Sequence, residues 1–154
     1  QISNGATGAR AVLNQEVQQE DNSFYVTNMF ESDLFHIPVL TITQMKLIRA
    51  ESAAEIGGDL STAITDVNDI ADRAYGFPAL ESTATREEII EAARVERRLE
   101  FPCNGQRLHD VKRIGAQEGD FDVRGVPYDC NGMILQFPAA EQTDLFPLNP
   151  GGGC

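Results

Sequence analysis

Residues 96–115, ERRLEFPCNGQRLHDVKRIG, gather Glu96, Arg97, Arg98, Glu100, Cys103, Arg107, His109, Asp110, Lys112 and Arg113 around a Pro-Cys-Asn-Gly-Gln break. Three kinds of chemistry could draw on such a set: nucleophilic catalysis by Cys103 with His109 as base, anion binding by the arginines, or a structural ion network. Catalysis needs a third group that orients the histidine, and the sequence places none beside this pair. Glu96 and Glu100 stand at i, i+4 with like charge, an unfavourable arrangement until a cation arrives from another segment. Arg107, Lys112 and Arg113 follow the break and are available for it. Asp110 lies three residues from both Arg107 and Arg113, so it is bracketed by two guanidiniums that can bind a carboxylate bidentately. The stretch is therefore read as a structural network of Glu96, Arg97, Arg98, Glu100, Arg107, Asp110, Lys112 and Arg113 that stitches two helices. No residue is assigned a catalytic role.

The remaining candidates are weaker. DFDVRG, residues 120–125, imitates the start of a calcium loop, but Arg124 stands at the fifth ligand position and Asn131 at the twelfth, where a glutamate is needed. His36 precedes Ile37-Pro38 and reads as a packed or solvated histidine. Phe24 and Tyr25 could face a ligand, but aromatics in a strand are more often core. Cys103, Cys130 and Cys154 have no CxxC or CxxH spacing, so neither a metal site nor any cofactor is expected. Two readings of the thiols stay open. A Cys103–Cys130 bridge would close a loop of about 27 residues, worth roughly 3 kcal/mol in the chain-entropy model; the other reading is free buried thiols.

Composition narrows the partners. Twelve Lys+Arg against twenty-four Asp+Glu give the 154 residues a net charge of -12. Such a chain is not expected to bind nucleic acid or an anionic membrane surface. A hydrophobic fraction of 42% is enough for a modest core. The opening QISNGATGAR carries neither a basic leader with an apolar segment nor a lipidation cysteine, and no apolar run reaches the roughly 18 residues that span a bilayer.

The elements that must position these residues are mainly helical. Leu60, Ala63, Ile64, Val67, Ile70, Ala71 and Ala74 recur at the spacing of one helix face, and Gly76 ends it. The preceding TITQMKLIRAESAAEIGGD predicts a partner helix from about Thr43 to Ile56, closed by Gly57-Gly58, with Asp59 as N-cap of the next. Ala50, Ala53, Ala54, Ala63 and Ala71 let the pair approach closely, as in a tetratricopeptide-like hairpin. Met45, Ile48 and Ile56 form a second apolar edge that one hairpin cannot cover. A capping box, Thr85 to Glu88, opens a third helix to about residue 101, on which Glu91, Arg94 and Arg98 read as a solvated ion ladder. A fourth is expected over 105–114, capped by Asn104 and ended by Gly115, with Leu108, Val111 and Ile114 as its apolar edge. The flanks, 1–40 and 116–154, offer only short strands such as SFYVTNMF and MILQFP. Irregular stretches of that length suit part of something larger better than a free-standing domain.

Three features together resemble the SusD/RagB family of outer-membrane nutrient-binding lipoproteins: the hairpin MKLIRAESAAEIGGDLSTAITDVNDIADRAYG, the stretch EEIIEAARVERRLEFPCNGQRLHDVKRIG, and the ending ILQFPAAEQTDLFPLNPGGGC. The family's central motif is matched by Glu96-Arg97-Arg98, Glu100, Gly105, Arg107 and Asp110-Val111-Lys112-Arg113. Its terminal motif is matched by Pro138, Glu141 and Asn149-Pro150-Gly151. The sequence departs from the pattern at Pro102 and Cys103, at Gln136 in place of a proline, and at Asn28 in place of a basic residue. The resemblance covers residues 24–151 and implies a mainly α fold, the C-terminal portion of a longer chain, and no enzyme activity. It also implies a surface location on the outer membrane, with a lipid anchor absent from this segment. The implied partners are a TonB-dependent transporter, an oligosaccharide or peptide ligand, and the rest of the parent chain. A helical scaffold that docks another protein without ligand transport is the alternative. No ligand-contacting residue transfers by motif.

Overall fold

The computed structural model describes residues 14–19, 22–27, 39–102, 104–119, 122, 123, 125–134 and 137–154. They form two compact units, residues 1–101 and 102–154. The fold is mainly α, as expected, and among the described residues no helix is long and apolar enough to cross a membrane.

In the first unit a hairpin of β1 (Asn14–Gln19) and β2 (Asn22–Thr27) precedes three helices, α1 (Ile42–Ile56), α2 (Leu60–Tyr75) and α3 (Arg86–Glu100). The strands pair antiparallel, with Val17 opposite Phe24. β2 covers the SFYVT part of the expected SFYVTNMF strand, whereas the polar NQEVQQ of β1 has no alternation to announce it.

Helix boundaries follow their caps. The Thr41 hydroxyl accepts from Gln44 N at 3.1 Å and starts α1. Gly57 ends it at φ 69, a left-handed conformation that costs glycine nothing, and Gly58 N donates to Ala53 O at 2.7 Å. Only residues 57–59 separate α1 from α2, so the two run antiparallel. The capping box is present at Thr85 and Glu88. Arg86, at the head of α3, caps α1 from outside: its Nε donates to Ala54 O at 2.7 Å and its Nη2 to Glu55 O.

The core of the unit joins Leu47, Ala50 and Ala54 of α1, Ala63, Ile64, Val67 and Ile70 of α2, and Ile89 and Ala93 of α3. Ala71 and Ala74 are buried as well. The expected second edge of α1 is also present, since Met45, Ile48 and Ile56 are exposed. Between α2 and α3 the chain turns on Asn68, whose Oδ1 accepts from Ala79 N at 3.0 Å and Leu80 N at 2.8 Å while its Nδ2 donates to Leu80 O at 2.8 Å. Asn68→Ala strips three hydrogen bonds from this turn. It is expected to cost about 1–2 kcal/mol in urea unfolding, and Asn68→Asp, which keeps only the acceptor, should fall between wild type and alanine.

Asp59 is the best-satisfied cap. Its carboxylate accepts from the Thr62 hydroxyl at 2.6 Å, the Ser61 hydroxyl at 2.8 Å, and both backbone N–H groups. These bonds favour the charged form, with the Thr62 hydroxyl contributing most, and lower its pKa from 3.8 to about 2. Because the folded value lies below the unfolded one, the stabilisation is complete above pH ~4 and is lost as pH falls toward 2. Asp59→Asn keeps a cap but has no titrating charge. The thermal midpoint of the variant should therefore decline less steeply than that of the wild type between pH 4 and 2, and parallel curves would exclude Asp59 as a source of the acid limb.

The second unit holds α4 (Arg107–Glu118), the two-residue strands β3 (Asp122–Val123) and β4 (Val126–Pro127), and the 3-10 turns Asn131–Met133 and Ala139–Glu141. α4 differs from expectation at both ends. Gln106 is its N-cap, without a side-chain cap bond, in place of Asn104. Gly115 does not end the helix but lies buried inside it, and the helix stops at Gly119, where φ is 75. The described residues of MILQFP contain a 3-10 end and irregular chain in place of a strand.

Candidate functional site

Each helix of the first unit carries a carboxylate or its partner into the packed region. Glu51 follows the stripe of Leu47, Ala50 and Ala54, Asp66 that of Ala63, Val67 and Ile70, and Glu96 that of Ile89 and Ala93. Asp66 is 2% exposed and Glu96 4%. Buried carboxylates demand cations, and for Asp66 and Glu51 the neighbouring helices supply them.

Arg49 of α1 grips Asp66 of α2 in a bidentate fork, with Nε and Nη2 each 2.7 Å from a carboxylate oxygen. That hydrogen-bonded pairing raises the Arg49 pKa above its ordinary value. Lys46 meets Asp69 alongside. Arg94 of α3 donates to Glu51 at 2.8 Å and reaches Glu55 at 3.3 Å, both on α1. Arg73 of α2 donates to Glu100 of α3 at 2.5 Å, and its Nη1 lies 3.4 Å from the Thr43 hydroxyl of α1. Every pair of helices in the unit is thus bridged by ions as well as by apolar contact. Arg94 corrects the expected solvated ladder: it crosses to another helix because Glu51 is buried there.

The stretch around the break divides between the units. Glu96, Arg97, Arg98 and Glu100 lie on α3, where Glu100 is held by Arg73 and the Arg97 guanidinium lies 5.9 Å from the centre of the Phe101 ring. Arg107, Asp110, Lys112 and Arg113 lie on α4, with Asp110 buried and 3.6 Å from Arg113. His109 is exposed on the same helix. Cys103 lies outside the described residues, as do His36, Asn28, Arg124 and Gln136, and the side chains of Phe24 and Tyr25 are not described.

The disulfide expectation needs correction. Cys130 is bonded to Cys154, with Cα atoms 5.5 Å apart, and so is not available to Cys103. Spacing alone could not choose between these partners; Gly132 lets Cys154 approach closely, since a Cβ there would fall 2.8 Å from its sulfur. Asp122, within the calcium-loop lookalike, accepts from Gly125 N at 3.1 Å and so closes the β3–β4 turn. Among the described residues no group of three or more His, Cys, Asp or Glu could hold a metal ion.

The first unit also has an open groove between α3 and residues 79–84, with Leu80, Ala84, Ala92 and Val95 as its apolar lining and Glu81, Glu87 and Glu91 around them. Glu88 on its wall is committed to the capping box, and its hydrogen bonds to Thr85 lower its pKa.

The residues missed by sequence reasoning are Glu51, Asp66, Asn68 and Arg73. Glu51 and Asp66 were detectable in principle, because a carboxylate inside an apolar helical stripe signals a cation from another element.

Comparison with known proteins gives one match: the model of the SusD family covers residues 14–146. No curated protein and no solved structure matches. The match takes in the helical hairpin, the ion-rich helices α3 and α4, and Pro138 and Glu141 of the terminal motif, and on it the chain belongs to the SusD family.

Proposed function

We propose that this chain is the C-terminal portion of a cell-surface subunit that binds a nutrient, a glycan or a peptide, and delivers it to a TonB-dependent outer-membrane transporter. The observation that carries the reading is the family match over residues 14–146, because proteins of this family are nutrient-binding components of the outer-membrane surface and not enzymes. The exposed edge of Met45, Ile48 and Ile56 supports it: such an edge suits a hairpin that packs against further helical repeats of a parent chain.

The charged stretch from Glu96 to Arg113 is read as structural within this proposal. Glu100 and Asp110 each already have a cation within their own unit. On the structural reading, in which Arg107 brackets Asp110 together with Arg113, neutralising Arg107 should lower thermal stability and leave ligand affinity unchanged.

The test is affinity purification of the tagged parent chain from detergent-solubilised outer membranes. Stoichiometric recovery of a TonB-dependent transporter, with saturable binding of an oligosaccharide or peptide by calorimetry, is the expected result. Recovery with a different, stoichiometric partner and no ligand binding would replace this reading with that of a helical scaffold.

A further inference from the structure

The Cys130–Cys154 bridge closes a loop around residues 131–153. Within it, the hydrogen bonds of the described residues 137–148 are local: Glu141 N donates to Pro138 O at 2.9 Å, and Thr143 and Phe146 exchange backbone bonds at 3.2 and 3.1 Å. No residue from 137 to 148 is buried, and Phe137, Leu145 and Phe146 are each more than half exposed. A segment with so little buried apolar surface opens easily unless a covalent tie restrains it. The tie itself is buried on one side only, since Cys154 is exposed. Cys130 is buried, and Gly132 leaves room for the Cys154 sulfur.

We propose that the Cys130–Cys154 disulfide is a redox-sensitive clasp that fixes the 137–148 segment, and that reducing it frees this segment while helices α1 to α3 stay folded. The bridge forms when the two thiols lose two protons and two electrons to a disulfide oxidant, which becomes a dithiol. A dithiol reductant reverses the exchange, returning hydrogen to both sulfurs and becoming a disulfide itself. The segment is thus fixed in an oxidising compartment and released in a reducing one. The inference does not rest on the nutrient-binding reading.

The test uses the full chain purified without reductant. A non-reducing peptide map should yield one linked pair carrying Cys130 and Cys154. Chymotryptic cleavage after Leu145 or Leu148, the sites in this segment not followed by proline, should accelerate about tenfold or more on reduction, since cleavage follows the population of the open form. Cleavage within residues 42–100 and helical ellipticity should not change. Cys154→Ser should show the fast cleavage without reductant. Alkylation of both cysteines in the unreduced protein, a linked peptide carrying Cys103, or equal cleavage rates before and after reduction would each overturn the proposal.

Discussion

Arg94→Ala is expected to destabilise the three-helix unit by about 3–5 kcal/mol, the cost typical of removing one partner from a buried ion pair. The Arg94 side chain is only 14% exposed and that of Glu51 10%, so water screens their 2.8 Å contact poorly. Truncation removes this cation from a carboxylate that shares the core-facing stripe of Leu47, Ala50 and Ala54. The fork to Glu55 at 3.3 Å is lost with it. The pair of Lys46 and Asp69 supplies the contrast: its side chains are 27% and 52% exposed, and Lys46→Ala should cost only a few tenths of a kcal/mol. Arg94→Lys keeps the charge but not the fork and should fall between wild type and alanine. The double variant Glu51→Leu with Arg94→Met removes both charges and fills similar volume. It should recover most of the loss, because desolvation of the pair is then no longer required. Urea unfolding followed by helical ellipticity measures all four. A cost for Arg94→Ala no larger than that for Lys46→Ala would show that the pair behaves as a surface contact.

How far the sequence revealed this arrangement varies with how local each signal is. α1, α2 and α3 begin and end within a residue of expectation because Thr41, Gly57, Asp59, Gly76 and Thr85 act through bonds to their immediate neighbours. The apolar face of α2 was equally legible, since helical spacing alone places Ala63, Val67 and Ile70 together. Arg94 was misread because its partner Glu51 is 43 residues away and helix periodicity carries no information about which helix it faces. The cysteine pairing failed for a related reason: Cys103 and Cys154 stand at comparable distances in sequence from Cys130, and loop-closure entropy barely distinguishes them. β1 escaped because NQEVQQ has one β-branched residue and no alternation, so only pairing with β2 reveals it. Of the candidate site, the clustering of charge around residues 96–113 was visible, and the ion pairs that bridge α1, α2 and α3 were not.

Gly115 shows the same ambiguity in a single residue, and its replacement has the second large expected effect. Glycine after an apolar helical stretch ordinarily signals a stop, yet here α4 continues through Gly115 to Glu118. The reason is contact. A Cβ on Gly115 would lie 2.1 Å from Tyr128 Cγ, 2.4 Å from its Cβ and 2.5 Å from its Cδ2. On helix propensity alone Gly115→Ala should stabilise α4 by about 1 kcal/mol. Overpacking opposes this, at about 1–3 kcal/mol in ordinary cores, and belongs at the upper end because the obstructing atoms are the root of the tyrosine side chain. Rotation of the ring leaves Cβ and Cγ in place, so the backbone at 128 or the helix itself has to move. A net loss of about 2 kcal/mol is therefore expected in unfolding of the second unit, whereas Gln117→Ala, two residues further along and exposed, should stay within about 0.5 kcal/mol of wild type. Tyr128→Gly removes all three obstructing atoms at a cost of its own. Against that background Gly115→Ala should become neutral or stabilising, a coupling of opposite sign to the single variant. If alanine at 115 stabilises the protein with Tyr128 intact, the close approach of α4 to Tyr128 is wrong and the glycine serves another purpose.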